Sequence, residues 1–150
     1  MSILTQALHG RLHGITPIEV RVTYRLADPS AITLSFTRYG RPHAWCVHRE
    51  LLRAGVHPGS DPLPTEEPAA RVQIRTFPEG GRTLLRLGIE GGQRWPLSLP
   101  TAAVRAFLER TYTLCSAERE ARIVSQALDA HLAVMRVAQR PKRHRDGGHR

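Results

Sequence analysis

Lysine is almost absent from this chain. A single one, Lys142, stands against 21 arginines, so the net charge of +9 over 150 residues is carried by guanidinium groups. So lopsided a ratio reflects a GC-rich coding sequence as well as any need for arginine, and position says more than total. Cysteine is nearly as scarce. Cys46 and Cys115, separated by most of the chain, make neither a disulfide framework nor a Cys-x-x-Cys metal spacing. No apolar run approaches the ~20 residues that span a bilayer, and the N-terminus lacks the charged-then-apolar order of a secretory signal. A cytoplasmic protein without a transmembrane segment is the expectation.

Groupings with catalytic spacing are missing too. Cys46 and His48 share one strand face, but such neighbours lie roughly 6 to 7 Å apart, too far for a Cys-His dyad. His9 and His13 have i, i+4 spacing without a carboxylate or third ligand to complete a zinc site. His43 and His48 read as surface residues, and Asp28 and Glu50 are too isolated to form a general acid-base pair. Gly80-Gly81 and Gly91-Gly92 fall in hairpin turns and precede no helix, so neither is a phosphate loop. No enzyme, cofactor or metal is expected.

What is present is an ordinary globular composition, 41% hydrophobic and 23% charged, in a chain of one-domain length. Ile3 to Ile15 fits a helix or a bulged strand, with Gly10 and Gly14 favouring the strand. Ile18, Val20, Val22 and Tyr24 alternate with polar residues in the clearest strand of the chain. Asp28-Pro29-Ser30 reads as a turn, Ala31 to Arg38 as the return strand, and Tyr39-Gly40-Arg41-Pro42 as a second turn. Trp45 and Val47 continue a strand that hands over at Arg49 to a short helix, closed at Gly55. The core should gather around Trp45.

Residues 57 to 68 hold too much proline for regular structure and carry the most acidic stretch, a surface loop. Three antiparallel strands follow, turned at Pro78-Glu79-Gly80-Gly81 and at Gly91-Gly92. Arg71, Arg75, Arg82 and Arg86 fall on one exposed face there, with few aromatics between them. A solvated face is the commoner use of such a pattern; an anion or nucleic-acid surface is the alternative. Pro100 opens a helix with Val104, Phe107, Leu108 and Thr111 on its apolar side. Ser116 caps a second one, whose broad apolar stripe runs to Ala138, long enough to reach beyond its own domain or pair with a copy of itself. Pro141 ends it. Residues 1–139 form the domain; 140–150, with Arg140, Lys142, Arg143 and Arg145, form a disordered basic tail.

In order and spacing, Tyr24, Asp28-Pro29, Ala31, Phe36, Trp45, Arg49, Leu51-Leu52, Gly55, Val72, Pro78 and Phe107-Leu108-Glu109-Arg110-Thr111 resemble the SsgA-like proteins of sporulating actinomycetes. The likeness runs from about residue 17 to 112. It implies an α+β fold: Whirly-like antiparallel β-sheets of about seven strands, a short mid-chain helix and two C-terminal helices. It also implies a non-enzymatic regulator of sporulation-specific septation, recruited to septa, whose partners are FtsZ-associated machinery, septal cell-wall enzymes or another SsgA-like protein. A homo-oligomer, a trimer, is implied as well. Departures are the proline-rich loop, Leu114-Cys115-Ser116 where relatives often have Pro-Gly, and the long last helix and tail. A single-stranded nucleic-acid-binding module using the arginine face and tail is the alternative function.

Overall fold

The computed structural model describes residues 2–56, 72–76 and 80–139. Four strands come first: β1 (Ile3–Leu12), β2 (Thr16–Arg25), β3 (Asp28–Arg38) and β4 (Arg41–His48). Helix α1 (Arg49–Gly55) follows directly, then β5 (Val72–Thr76), β6 (Arg82–Gly88), a single 3₁₀ turn (Glu90–Gly92) and β7 (Arg94–Pro100). Helices α2 (Thr101–Leu114) and α3 (Ala117–Ala138) end the described chain. The expected α+β architecture is the observed one, with all seven strands in one antiparallel sheet of order β4-β3-β2-β1-β7-β6-β5.

The first segment is a strand because it has a partner along its whole length, from Ile3 opposite Arg25 to Leu12 opposite Thr16. Gly10 permits that strand to lie close to β7: a Cβ there would sit 3.0 Å from a Leu99 methyl and 3.2 Å from the Ser98 carbonyl. Tyr39 and Gly40, both with positive φ (52° and 70°), form the tight hairpin turn whose twist suits the strands it joins. The other expected turn is displaced. The chain reverses at Leu26-Ala27, and Asp28-Pro29-Ser30 belongs to β3. Pro29 is tolerated because the register slips beside it and pairing with β4 begins only at Ala31. Its carbonyl accepts the Tyr24 hydroxyl at 3.1 Å.

β1 and β7 pair over two residue positions only, Arg11–Ser98 and Leu12–Leu97, so the sheet bends there into two halves. On the opposite side β4 and β5 are edge strands, bridged by side chains and α1. Trp45 Nε1 donates to the Gly88 carbonyl at 2.9 Å. Gly55 lies in the last turn of α1 rather than after it, and is small because Ile74 of β5 packs on it: a Cβ would stand 2.9 Å from Ile74 Cβ. The result is a nearly closed barrel. Its inward side chains, including Leu12, Val20, Ile32, Leu34, Leu85, Leu97 and Leu99, meet Val104, Phe107 and Leu108 of α2 in one core, and Trp45 is buried within it.

Candidate functional site

Two arginine-aromatic clusters occupy opposite ends of β3 and β4. At the His48 end, Arg49 starts α1 and is fully buried. Its Nη1 donates to the Tyr24 hydroxyl (3.2 Å), the Thr111 carbonyl (3.2 Å) and the Cys115 carbonyl (2.7 Å). Its Nη2 pairs with Glu120 Oε2 at 2.8 Å, and its guanidinium lies 3.9 Å from the Tyr112 ring centroid. One side chain thus ties α1, β2, the end of α2 and the start of α3 together. Burial pushes the Tyr24 hydroxyl up to about 12, although the Arg49 charge opposes the rise. Burial would depress Arg49 itself, but the Glu120 hydrogen bond and the neighbouring charges raise it above its ordinary value. Tyr112 is also raised, by burial and by its hydrogen bond to Glu50 (2.9 Å).

At the Arg41 end the rings gather. Phe36 and Trp45 are 5.1 Å apart, and His43 meets Trp95 edge-on at 4.9 Å. Arg38 lies over Trp95 at 4.8 Å and over Tyr39 at 4.9 Å, with His13 Nε2 3.3 Å from its Nη1. Between β4 and the β6–β7 turn is a cleft of about 400 Å³ lined by Arg41, His43, Ala44, Trp45, Gly88, Ile89 and Trp95. His43 was expected at the surface; it is half-buried in this cluster, because β4 carries it inward in phase with Trp45. Trp95 gave a usable signal in the sequence, since it begins a strand in phase with the buried Leu97 and Leu99.

The motif residues divide between these ends and the core. Tyr24, Pro29, Arg49 and Thr111 belong to the buried polar network, Phe36 and Trp45 to the ring cluster, and Leu52, Phe107 and Leu108 to the core. Asp28 and Arg110 are exposed, Arg110 reaching Gln6 Oε1 at 3.2 Å. Leu51 is half-buried. Of the arginine face, Arg75 is placed in β5 opposite Leu84; Arg82 is hydrogen-bonded to Ser98 and Arg86 is exposed. Arg71, the 57–68 loop and the tail with Arg140, Lys142, Arg143 and Arg145 lie outside the described residues.

Sequence reasoning missed two polar roles. His48 caps α1, its Nδ1 accepting from Glu50 N at 3.3 Å, and Glu120 is the buried carboxylate that Arg49 requires. Ser116 caps α3 as expected, accepting from Arg119 N at 3.2 Å. Beyond Ile123, α3 lies free of the barrel. Val124, Leu128, Leu132, Val134, Met135 and Val137 are all exposed, from 41% to 68%. Among the described residues no three metal-ligating side chains come together, and no helix is long and apolar enough to cross a membrane.

Residues 18–120 match the family described as the Streptomyces sporulation and cell division protein SsgA. The chain belongs to the SsgA family. That segment begins in β2 and closes on Glu120, so it contains every group of the Arg49 network and, of the opposite cluster, Phe36, Tyr39, His43, Trp45 and Trp95. The SsgA-family fold agrees with two solved structures. The first is SsgB, in a study titled for mutations that correlate to longitudinal cell division during sporulation of Streptomyces coelicolor. It is 25% identical, covers 81% of this chain and 95% of its own, and has a TM-score of 0.66. The second, an SsgA-like sporulation-specific cell division protein from Thermobifida fusca, is 24% identical with a TM-score of 0.63, covering 89% of this chain and 95% of that one. No individually curated protein matches the chain. A role in sporulation-associated division follows from the family.

Proposed function

We propose that this SsgA-family chain is a non-enzymatic adapter of sporulation-specific septation, a cytoplasmic protein recruited to septa by contacts with FtsZ-associated or septal cell-wall proteins. The observation that supports it is α3. A 22-residue helix with six large apolar side chains in solvent is a poor ending for a protein that works alone, since isolated helices are marginal and exposed apolar patches usually serve contacts. Self-association into a homo-oligomer, a trimer by the family resemblance, would cover that face. In sporulating hyphae a fluorescent fusion should form foci or ladders at septa beside labelled FtsZ, and light scattering should give more than one chain per particle. Diffuse fluorescence with a monomeric mass would defeat this reading.

A second reading has Arg75, Arg82 and the exposed Arg86 acting with Arg71 and the basic tail on single-stranded nucleic acid. Affinity would then fall with salt at a log-log slope of about 0.7 per phosphate. Lack of oligonucleotide binding at low ionic strength would remove it.

A further inference from the structure

We infer that the ring-lined mouth of the barrel is a docking site for an extended acidic segment of a partner protein, which adds to the free edge of β4 and places a bulky apolar side chain in the cleft. This rests on the adapter reading and names the surface it would use.

Three features converge at this place. β4 is an edge strand paired only with β3 among the described residues, and its Arg41–Trp45 portion borders the cleft. Its outer edge therefore has backbone groups open to an added strand, a recurrent way of capturing peptides. Pro42 contributes no N–H, so the added pairing is short and the cleft must supply the rest. The cleft's volume of about 400 Å³ suits one or two large side chains, and Trp45, Trp95 and Ile89 give it an apolar wall. Aromatic pockets of this kind are where interface energy concentrates.

The charge is one-sided. No carboxylate lines the cleft among the described residues, while Arg41 is exposed on its lip. Arg38 lies beside it, its guanidinium 4.8 Å from the Trp95 ring centroid and 4.9 Å from that of Tyr39. Its Nη1 is 3.3 Å from His13 Nε2 and its Nη2 donates to the Tyr39 hydroxyl at 3.2 Å, which leaves Arg41 as the cation that meets a carboxylate at the lip. Nucleic acid fits less well. Trp95 has Arg38 over its ring and His43 against it, and Tyr39, although 85% exposed, has Arg38 over its ring as well. Successive bases would lack a row of platforms.

Both tryptophans of the chain, Trp45 and Trp95, are at the mouth, so intrinsic fluorescence reports binding without a label. The full chain would be titrated with an acetylated eight-residue peptide alternating Phe or Leu with Asp or Glu, with its Lys-for-acid counterpart, and with a twelve-nucleotide oligothymidylate. The acidic peptide should give a saturable change, and the basic peptide none. Arg41→Glu should weaken the acidic peptide at least tenfold. Arg86→Glu, an equal charge change on the outer face, should alter it less than twofold. An unresponsive spectrum, equal losses in the two variants, or tighter binding of oligothymidylate than of peptide would each overturn the proposal. A fusion found at septa although the acidic peptide leaves the spectrum unchanged would sink the docking site and keep the adapter reading. A fusion that never reaches septa would sink the adapter reading itself.

Discussion

The two ends of the barrel use the same chemistry, arginine against aromatic rings, for opposite purposes. At the Arg49 end the guanidinium is fully buried and has a carboxylate, two main-chain carbonyls and a tyrosine hydroxyl. The partners come from β2, the end of α2 and the start of α3. At the Arg38 end the guanidinium has rings, a histidine and the Tyr39 hydroxyl but no acid among the described residues. A buried charge has to be paired, because leaving it unpaired costs several kcal/mol. A charge at the rim does not. The difference between the two arginines is thus the carboxylate, rather than the rings.

Breaking the closed end should have the largest effect. Arg49→Ala removes the group on which four elements converge and strands Glu120 in a buried site; a loss of about 3–5 kcal/mol is expected by urea unfolding. Glu120→Ala should cost less, about 2–3 kcal/mol, since Arg49 keeps its carbonyls, and it should also loosen the first turn of α3 in hydrogen exchange. Gly55→Ala forces a methyl onto Ile74 and should cost about 1–2 kcal/mol despite the better helix former. A loss near zero would mean that β5 shifts freely on α1.

pH sharpens the same contrast. Tyr24 is raised from 10.0 to about 12, so the folded state holds its proton more tightly than the unfolded one. That contribution to stability is complete below pH 10 and is lost as pH rises through about 12. Tyr112, raised as well, acts in the same direction. Alkaline unfolding followed by circular dichroism should therefore begin above pH 10, and Tyr24→Phe should flatten the slope in that window. Smallest of all, Arg41→Glu at the open end should shift the melting midpoint by an amount equivalent to no more than about 0.5 kcal/mol; a larger loss would mean that this end also holds the fold.

Alternation made β2 legible in the sequence, and helical spacing with a Ser cap made α3 legible down to Ala138. Those signals are local, and so is the short α1 that begins at Arg49. The displaced turn at Asp28-Pro29 escaped because a register slip, visible only in the pairing of β2 with β3, makes room for proline inside a strand. The two clusters escaped for a related reason. Arg49 and Glu120 are 71 positions apart, Trp45 and Gly88 are 43 apart, and no periodicity connects residues across such distances. His48 as a helix cap carries no local signal, since the residues that ordinarily fill that position are Ser, Thr, Asp and Asn. The fold was readable because strands and helices announce themselves locally; the mouth was not, because only the bend between β1 and β7 brings its walls together.

The span between Arg49 and its carboxylate also sets an order in time. During synthesis the four-strand meander β1 to β4 emerges with neighbours pairing to neighbours, and Arg49 is finished with it. Its counter-charge is made 71 residues later, after β5, β6, β7 and α2. Until then the guanidinium has to remain hydrated, and α1 cannot settle into its final seat. The Arg49 network can therefore be completed only once Glu120 has been added, which makes the last residue of the family segment the final piece of that end of the molecule.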